Sequence, residues 1–383
     1  MFAILLVVFI DLVGFGIIIP LLPFYAETFN ASPQKVTMLM VVYSFSQFIF
    51  APVWGGLSDK YGRRVIIWCT LIGTVVAYIF LAFAQSLSDL FIARAFAGFM
   101  AGNIAVAQAY ITDITEKQDR AKAMGLFGAA FGLGFIIGPA IGGILAGSDP
   151  NNPSVFLPPI VAAVLSFIAL IVALISLKET NLSVNGFEKK RLKSLISALE
   201  FPNLRQLILL SFCITVVFAL MESTISLWSE RTLFWGAQQN GYLFAFAGIC
   251  GALVQGIFIG PLVKRFGEPF LCFWGCLVLS FGMLGISVST EIIHTVLSML
   301  LIAVGLGLFM PTVTTLIVNM VPEDKKGWVL GITQSVSSLA RIIGPALAGV
   351  FFEFIGKNSP YLIGGLFLLL MISILKKYIF KSK

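Results

Sequence analysis

The sequence predicts an all-α integral membrane protein with twelve transmembrane helices in two pseudo-symmetric six-helix bundles. Three observations lead there. Apolar stretches of about 20 residues recur along the chain, and about 20 residues is what a helix needs to cross ~30 Å of hydrocarbon. Lysine and arginine gather in alternate connections. Three short motifs appear twice, once in each half, at a nearly constant separation.

The 383 residues are 58% hydrophobic and only 11% charged, with a mean hydropathy of +0.99. A water-soluble domain carries about 25% charged residues. Only helices and closed barrels satisfy their backbone groups inside lipid, and barrel strands alternate polar and apolar residues over about 10 positions. The run IVAAVLSFIALIVALISL (160–177) shows no such alternation, so the spans are helices.

In order, the first span (2–26) holds one carboxylate, Asp11, in an otherwise uncharged run. The second (36–57) and third (65–85) flank GGLSDKYGRR (55–64), read as a short cytoplasmic turn whose glycines permit tight reversal. The fourth (88–112) carries Arg94. The fifth (121–146) contains GLFGAAFGLGFIIGPAIGG (125–143), where Gly134, Gly138, Gly142 and Gly143 let a neighbouring helix approach closely and Pro139 is expected to add a kink. The sixth is 154–177. A polar linker, 178–203, then separates an N-terminal bundle (1–177) from a C-terminal one (204–383). The seventh span (204–229) holds Glu222, and the eighth is 238–263. The ninth (268–289) holds Cys272 and Cys276 one turn apart; like the other three cysteines they read as packing residues, with no metal-ligand spacing. The tenth (291–319) begins beside the single His294, read as incidental. The eleventh (327–354) places Arg341 three residues before Gly344-Pro345, and the twelfth is 359–379. No cleavage signal is seen, and the first span is expected to serve as an uncleaved anchor.

Basic residues set the orientation. With both termini cytoplasmic, twenty of the twenty-five Lys and Arg fall on the cytoplasmic side. The opposite side keeps Lys35, Arg231 and Lys357, while Arg94 and Arg341 lie within spans. The net charge of +7 is thus a topology signal, and no nucleic acid partner is expected. The expected partners are a small-molecule substrate, protons and the lipid bilayer, with the chain acting as a monomer.

GGLSDKYG (55–62) aligns with GPLVKRFG (260–267) at an offset of 205. QDRAKAMG (118–125) aligns with DKKGWVLG (324–331), and FIIGPAIGG (135–143) with RIIGPALAG (341–349), both at 206. The repeat implies two bundles of like orientation, an arrangement found in one large class of secondary transporters, with the substrate path between them.

Asp11 lies about 15 Å along its span, near mid-membrane. A charge there costs at least ~2.5–3.5 kcal/mol, so it needs a wet cavity, a partner or a proton. Glu222 is the acid of the seventh span, about 12 Å from its far end. Each reads either as a proton-titrating group or as a structural charge; for Glu222 the structural alternative is a bond to Ser223 or a neighbouring helix. Arg94 does not discharge, and must find an acid, with Asp11 a candidate, find carbonyls, or snorkel outwards; Arg341 faces the same choice. In the turn, Asp59 is placed to interact with a helix N-terminus and Arg63 with Asp113. The mid-span amides Gln47, Asn103, Gln108, Gln255 and Gln334 suit either substrate or helix–helix bonds. A membrane enzyme would need a nucleophile–base pair or a metal cluster, and neither constellation appears. The 26-residue linker is too short for a sensor domain.

GGLSDKYGRR resembles the loop 2–3 signature of the major facilitator superfamily, LFIARAFAGFMAG (90–102) its fourth-span arginine motif, and GFIIGPAIGG (134–143) the fifth-span motif of its proton-driven antiporters. IDLVGFGIIIPLLP (10–23) and AYITDITEKQDRAKAMG (109–125) narrow the resemblance to the drug:proton antiporter branch and its tetracycline-exporter-like group. The resemblance implies a cytoplasmic gate of Gly56, Asp59, Gly62 and Arg63, with Asp59 meeting the eleventh span near Gly327 and Arg63 meeting Asp113. It implies that Arg94 assists proton coupling and that Asp11 serves substrate or proton. Where tetracycline exporters of the group carry an acid, a His and an acid, this chain has Ala77, Gly251 and Leu279, so tetracycline is not the expected substrate. The resulting expectation is a proton-coupled exporter of a small amphipathic compound in a bacterial inner membrane, driven by the proton gradient without a cofactor. Export of a sugar, siderophore or other metabolite, or uptake by symport, are the alternatives within the fold.

Overall fold

The computed structural model describes residues 1–116, 119–180, 202–322 and 326–379, and among these every regular element is a helix. In order they are α1 (Phe2–Thr28), α2 (Pro33–Tyr61), α3 (Arg63–Ala82), α4 (Leu87–Met100), α5 (Asn103–Asp113), α6 (Arg120–Ala146), α7 (Leu157–Ser176), α8 (Pro202–Leu233), α9 (Ala237–Leu253), α10 (Ile259–Phe266), α11 (Glu268–Val288), α12 (Ile292–Asn319), α13 (Lys326–Val350) and α14 (Ser359–Ile379). Single π-turns, Val254–Phe258 and Phe351–Ile355, follow α9 and α13. Taking α4 with α5 and α9 with α10 as single spans, eleven segments are long and apolar enough to cross a membrane, and α14 contains the shorter apolar stretch Ser359–Ile372. The linker expected at 178–203 falls almost wholly outside the described residues.

The chain divides into two compact units, Met1–Phe187 with Ser229–Ala245, and Glu188–Trp228 with Phe246–Lys383. Within the first, α1 packs on α6 and α7, α2 on α4, and α3 on α4 and α7. Within the second, α11 packs on α12 and α14. The third span of each half therefore lies against the fourth and the sixth.

The sequence repeat is visible in the backbone. Gly62 and Gly267, equivalent by the 205-residue offset, both open the third span of their half with positive φ, +101° and +77°. L side chains rarely adopt that conformation, so glycine reverses the chain there in a single residue. The stretch expected to be a turn is therefore mostly helix: residues 55–61 belong to the last turns of α2, and only Gly62 is outside a helix before α3 begins.

The glycines before the Gly-Pro pairs repeat their role as well. A Cβ placed on Gly138 of α6 would sit 2.7 Å from Gly16 Cα and from Val13 O of α1. One placed on Gly344 of α13 would sit 2.6 Å from Ala219 Cβ and 2.8 Å from Val216 O of α8. In each unit the fifth span meets the first backbone to backbone, the packing that small residues allow between helices in lipid. Both helices run unbroken through the following Pro139 and Pro345.

Candidate functional site

Asp11 is 9% exposed, in the middle of α1, two-thirds of whose residues are buried. Its one hydrogen bond comes from Asn103, whose Nδ2 donates to Asp11 Oδ2 at 2.8 Å. Asn103 is itself 7% exposed. The second oxygens of the pair, Asp11 Oδ1 and Asn103 Oδ1, find no partner among the described residues.

Asn103 stands there because the fourth span is broken. It is the first residue of α5, after an interruption at Ala101 and Gly102. In a continuous helix Phe99 O would accept from the N–H four residues on, that of Asn103. Instead, Trp54 of α2 donates its Nε1–H to Phe99 O at 2.6 Å, and Gln47 Nε2 donates to Ala101 O at 3.3 Å. The Trp54 side chain lies where a Cβ on Gly102 would be, with its Cβ and Cγ 2.8 Å from that position. The break is thus satisfied by side chains of a neighbouring helix, which is how irregular backbone is tolerated at membrane depth. Of the amides considered for substrate, Gln47 and Asn103 are used in helix–helix contacts. Gln108 is half-buried, and Gln255 and Gln334 are exposed.

Arg94 is buried, 4% exposed, and makes no ion pair among the described residues. The expected pairing with Asp11 does not form, and the side chain does not snorkel. Its guanidinium lies over the Tyr43 ring, 4.3 Å from the centroid, and 6.0 Å from that of Phe15. Phe15 continues to Phe135 at 5.8 Å, and Phe135 stacks on Phe131 at 5.0 Å. The physical reason is the quadrupole of the aromatic face, which attracts a cation and costs little desolvation of its own. Tyr78 of α3, beside Gly14, lies within electrostatic reach of both Asp11 and Arg94.

The small residues of α6 hold α1 in place. Besides Gly138, Gly134 faces Leu12, 2.6 Å from the position of a would-be Cβ to Leu12 Cβ, and Gly142 faces Ile17 O. Gly143 turns the other way, to Gly241 of α9 within the same unit, 3.0 Å from its would-be Cβ to the Gly241 Cα.

At the α2–α3 junction Arg63 binds two acids, Asp59 Oδ1 at 2.6 Å and Asp113 Oδ2 at 3.1 Å. It also donates to Ser58 Oγ, and Thr180 Oγ1 donates to Asp113 at 3.3 Å. Asp59 pairs with the Arg63 side chain that opens α3. Gly56 lies on the last turns of α2, one residue from the Ser58 partner Gly55. The expected approach of Asp59 to Gly327 falls on a residue whose side-chain surroundings lie outside the described residues. Arg64 stacks over Trp68 and donates to Leu174 O, while its backbone N–H reaches Glu179.

In the second unit Glu222 of α8 is half-buried and makes no hydrogen bond among the described residues. Its neighbour Ser223 donates to Leu220 O instead. The nearby charge is Arg341 of α13, within electrostatic reach and beyond ion-pair distance. The two acids also differ in register. The 206-residue offset sends Asp11 to Val217, five residues before Glu222, so Glu222 is an acid on the equivalent helix and not at the equivalent position.

Sequence reasoning passed over Trp54, Tyr43, Tyr78 and Glu179. The first three are aromatic residues in a chain with 36 Phe, and nothing in the spacing separates them from lipid-facing rings. The one available signal was Trp54 beside Gly55-Gly56, next to the conspicuous loop.

The chain matches the family model described as Major Facilitator Superfamily over residues 4–345, with a second match over 292–383. It is 32% identical over 348 residues to the class G tetracycline resistance protein of Vibrio anguillarum, covering 89% of this chain and 87% of that protein. It is 30% identical over 347 residues to the class C tetracycline resistance protein of Escherichia coli, covering 88% and 86%. Multidrug resistance protein 2 of Bacillus subtilis is 28% identical, covering 94% and 90%. Among solved structures, the nucleoside transporter NupG superposes with a TM-score of 0.82 at 11% identity, covering 100% of this chain and 99% of that one. The human organic anion transporter MFSD10 gives 0.73 at 22% identity, covering 97% and 98%.

Proposed function

The chain belongs to the Major Facilitator Superfamily of transporters, and from that premise we propose that it is a proton-coupled antiporter exporting a small amphipathic organic compound by alternating access. Its setting is the bacterial cytoplasmic membrane, with both termini in the cytoplasm, as the distribution of Lys and Arg supports. The similarity to tetracycline and multidrug resistance proteins supports efflux.

The observation that carries the reading is Asp11. An acid near mid-membrane costs ~2.5–3.5 kcal/mol on insertion scales and marks ion and proton pathways. Among the described residues this one has a single amide as its hydrogen-bond partner and no basic residue paired to it. A carboxylate left so sparsely compensated changes its environment's energy greatly when it gains or loses a proton. Two arrangements of α1 that solvate it differently are then shifted in population by titration. Protonation from the outer side and release inwards, exchanged against substrate, completes the cycle. Arg94 holds a fixed positive charge in the same unit, and Glu222 with Arg341 supplies a second acid–base pair.

The substrate class is read from the aromatic residues beside Arg94 and from the positions that lack acids. Phe15, Tyr43, Phe131 and Phe135 are all partly exposed, which suits an apolar or aromatic body. Ala77 and Leu279 are buried apolar residues where an acid would serve a metal-chelated drug, so the reading is of a substrate without a chelated metal.

The test is transport by inverted vesicles bearing Asp11→Asn or Glu222→Gln, with a panel of amphipathic compounds. Loss of proton-driven export in the Asp11 variant, with substrate counterflow retained, is the expected result. Export undiminished in both variants overturns the proton roles.

A further inference from the structure

Next to Asp11 lies a cavity of about 10 Å³, roughly the volume one water centre occupies. Asp11 and Asn103 contribute its only polar side chains; the rest of the lining is apolar, with Val8 of α1, Leu71 of α3 and Ala107 of α5 among it. The two buried oxygens without a partner among the described residues, Asp11 Oδ1 and Asn103 Oδ1, belong to these two side chains.

We infer that this cavity is a binding site for a single water molecule that bridges Asp11 Oδ1 and Asn103 Oδ1, and that Asn103 is the positioning residue of the proton site. The inference rests on the reading of Asp11 as the proton carrier and deepens it. The stoichiometry of hydrogen bonding carries it. Both oxygens are acceptors when Asp11 is ionised, and a water has two hydrogens to donate. One water therefore satisfies both, and leaving either unmet would carry the full cost of a buried unpaired polar group. When Asp11 takes a proton on Oδ1, the new hydroxyl donates to the water, which keeps its bond to Asn103. The same water thus serves both states, and its lone pair offers the route by which the proton reaches the carboxyl.

The site also selects its occupant. Hard cations such as Ca²⁺ and Mg²⁺ take six or more oxygen ligands, and here two side-chain oxygens stand in an otherwise apolar shell. A water needs no more than the two partners provided. The coupling ion is accordingly the proton and not a metal cation.

The experiment uses the full chain in lipid nanodiscs and needs no substrate. Infrared difference spectra between pH 5 and pH 9, wild type against Asp11→Asn, isolate the C=O stretch of protonated Asp11. Ala107→Val fills the cavity without touching either polar residue, and Asn103→Leu removes the amide. Both are expected to move that band to higher wavenumber. In Ala107→Val the carboxyl hydroxyl loses its water acceptor while Asn103 Nδ2 still donates to Oδ2. In Asn103→Leu the carbonyl Oδ2 loses that donor as well, so the larger shift is expected there and Ala107→Val alone reports on the water. Asn103→Thr, which restores an oxygen at the position, returns it towards the wild-type value. Val8→Ile fills the same space from α1 and serves if Ala107→Val does not fold. Addition of Na⁺ or Mg²⁺ at constant ionic strength leaves the band unchanged. A band present but unmoved by the cavity-filling variants overturns the water site, and one abolished by Na⁺ overturns its selectivity. No Asp11 band at any pH overturns instead the proton-carrier reading on which the inference stands.

Discussion

The two helices that open the halves of this chain, α1 and α8, share a scaffold and differ in chemistry. Each is approached by a fifth-span glycine, Gly138 on α1 and Gly344 on α8, so closely that neither has room for a Cβ. Each half begins its third span from a positive-φ glycine, Gly62 or Gly267. The polar groups do not follow. The offset takes Asp11 to Val217, Arg94 to Leu300 and Asn103 to Phe309, and Val217 and Phe309 are fully buried apolar residues. Even Arg63 and Asp113, the ion pair of the first junction, become Glu268 and Asn319. The duplicated features are those that let helices pack in lipid, together with basic residues at the helix ends such as Lys60 and Arg265; the charges within the spans, each expensive there, are specific to one half.

That asymmetry can be broken or sharpened in four ways, in descending order of effect. Asp11→Asn should reduce proton-driven transport about 100-fold, the equivalent of ~2.7 kcal/mol, whereas Glu222→Gln should cost about tenfold or less because Arg341 already compensates that acid in part. Initial export rates at a fixed pH gradient measure both, and equal losses would erase the distinction drawn between them. Next, Gly138→Val and Gly344→Val should each destabilise by ~1–3 kcal/mol through overpacking, and by similar amounts. Thermal unfolding in detergent reads this, and a variant that leaves stability untouched in one half would mean that the shared scaffold is not energetically shared.

Trp54→Phe should cost ~0.5–1.5 kcal/mol, the net worth of the hydrogen bond to Phe99 O that satisfies the break before Asn103. Hydrogen exchange at residues 99–105 should rise in that variant, while the continuous α12 of the other half is unaffected. Smallest is Arg63→Ala, about 0.2–1 kcal/mol of stability, because Asp59 and Asp113 are both partly exposed to solvent. Raising the salt concentration should shrink even that difference.

Legibility from sequence ran parallel to this contrast. The spans, the repeat and the meeting of Arg63 with Asp113 could be anticipated, since each depends on local hydropathy or on residues placed at neighbouring helix ends. The partner of Arg94 could not. An arginine in an apolar span must be compensated, and the sequence offers an acid as readily as a ring; only the packing of α2 and α1 against α4 presents Tyr43 and Phe15 to it. The turn after α2 is shorter than its polar, glycine-bearing sequence suggests, for a simpler reason. Gly62 reverses the chain alone, so the polar residues before it remain helical.

The sequence by itself determined that this chain crosses the membrane many times as helices, that its halves repeat, and that Asp11 stands where ionisation is costly. Lipid offers no hydrogen bonds, so each apolar segment must close its own backbone and its fate is settled locally. The tertiary structure alone decided what Asp11 meets. Its partner lies 92 residues away, at a break that exists because Trp54 and Gln47 on a third helix take the carbonyls a continuous helix would have used. Such a meeting depends on which helix faces which, and no local pattern of residues encodes that.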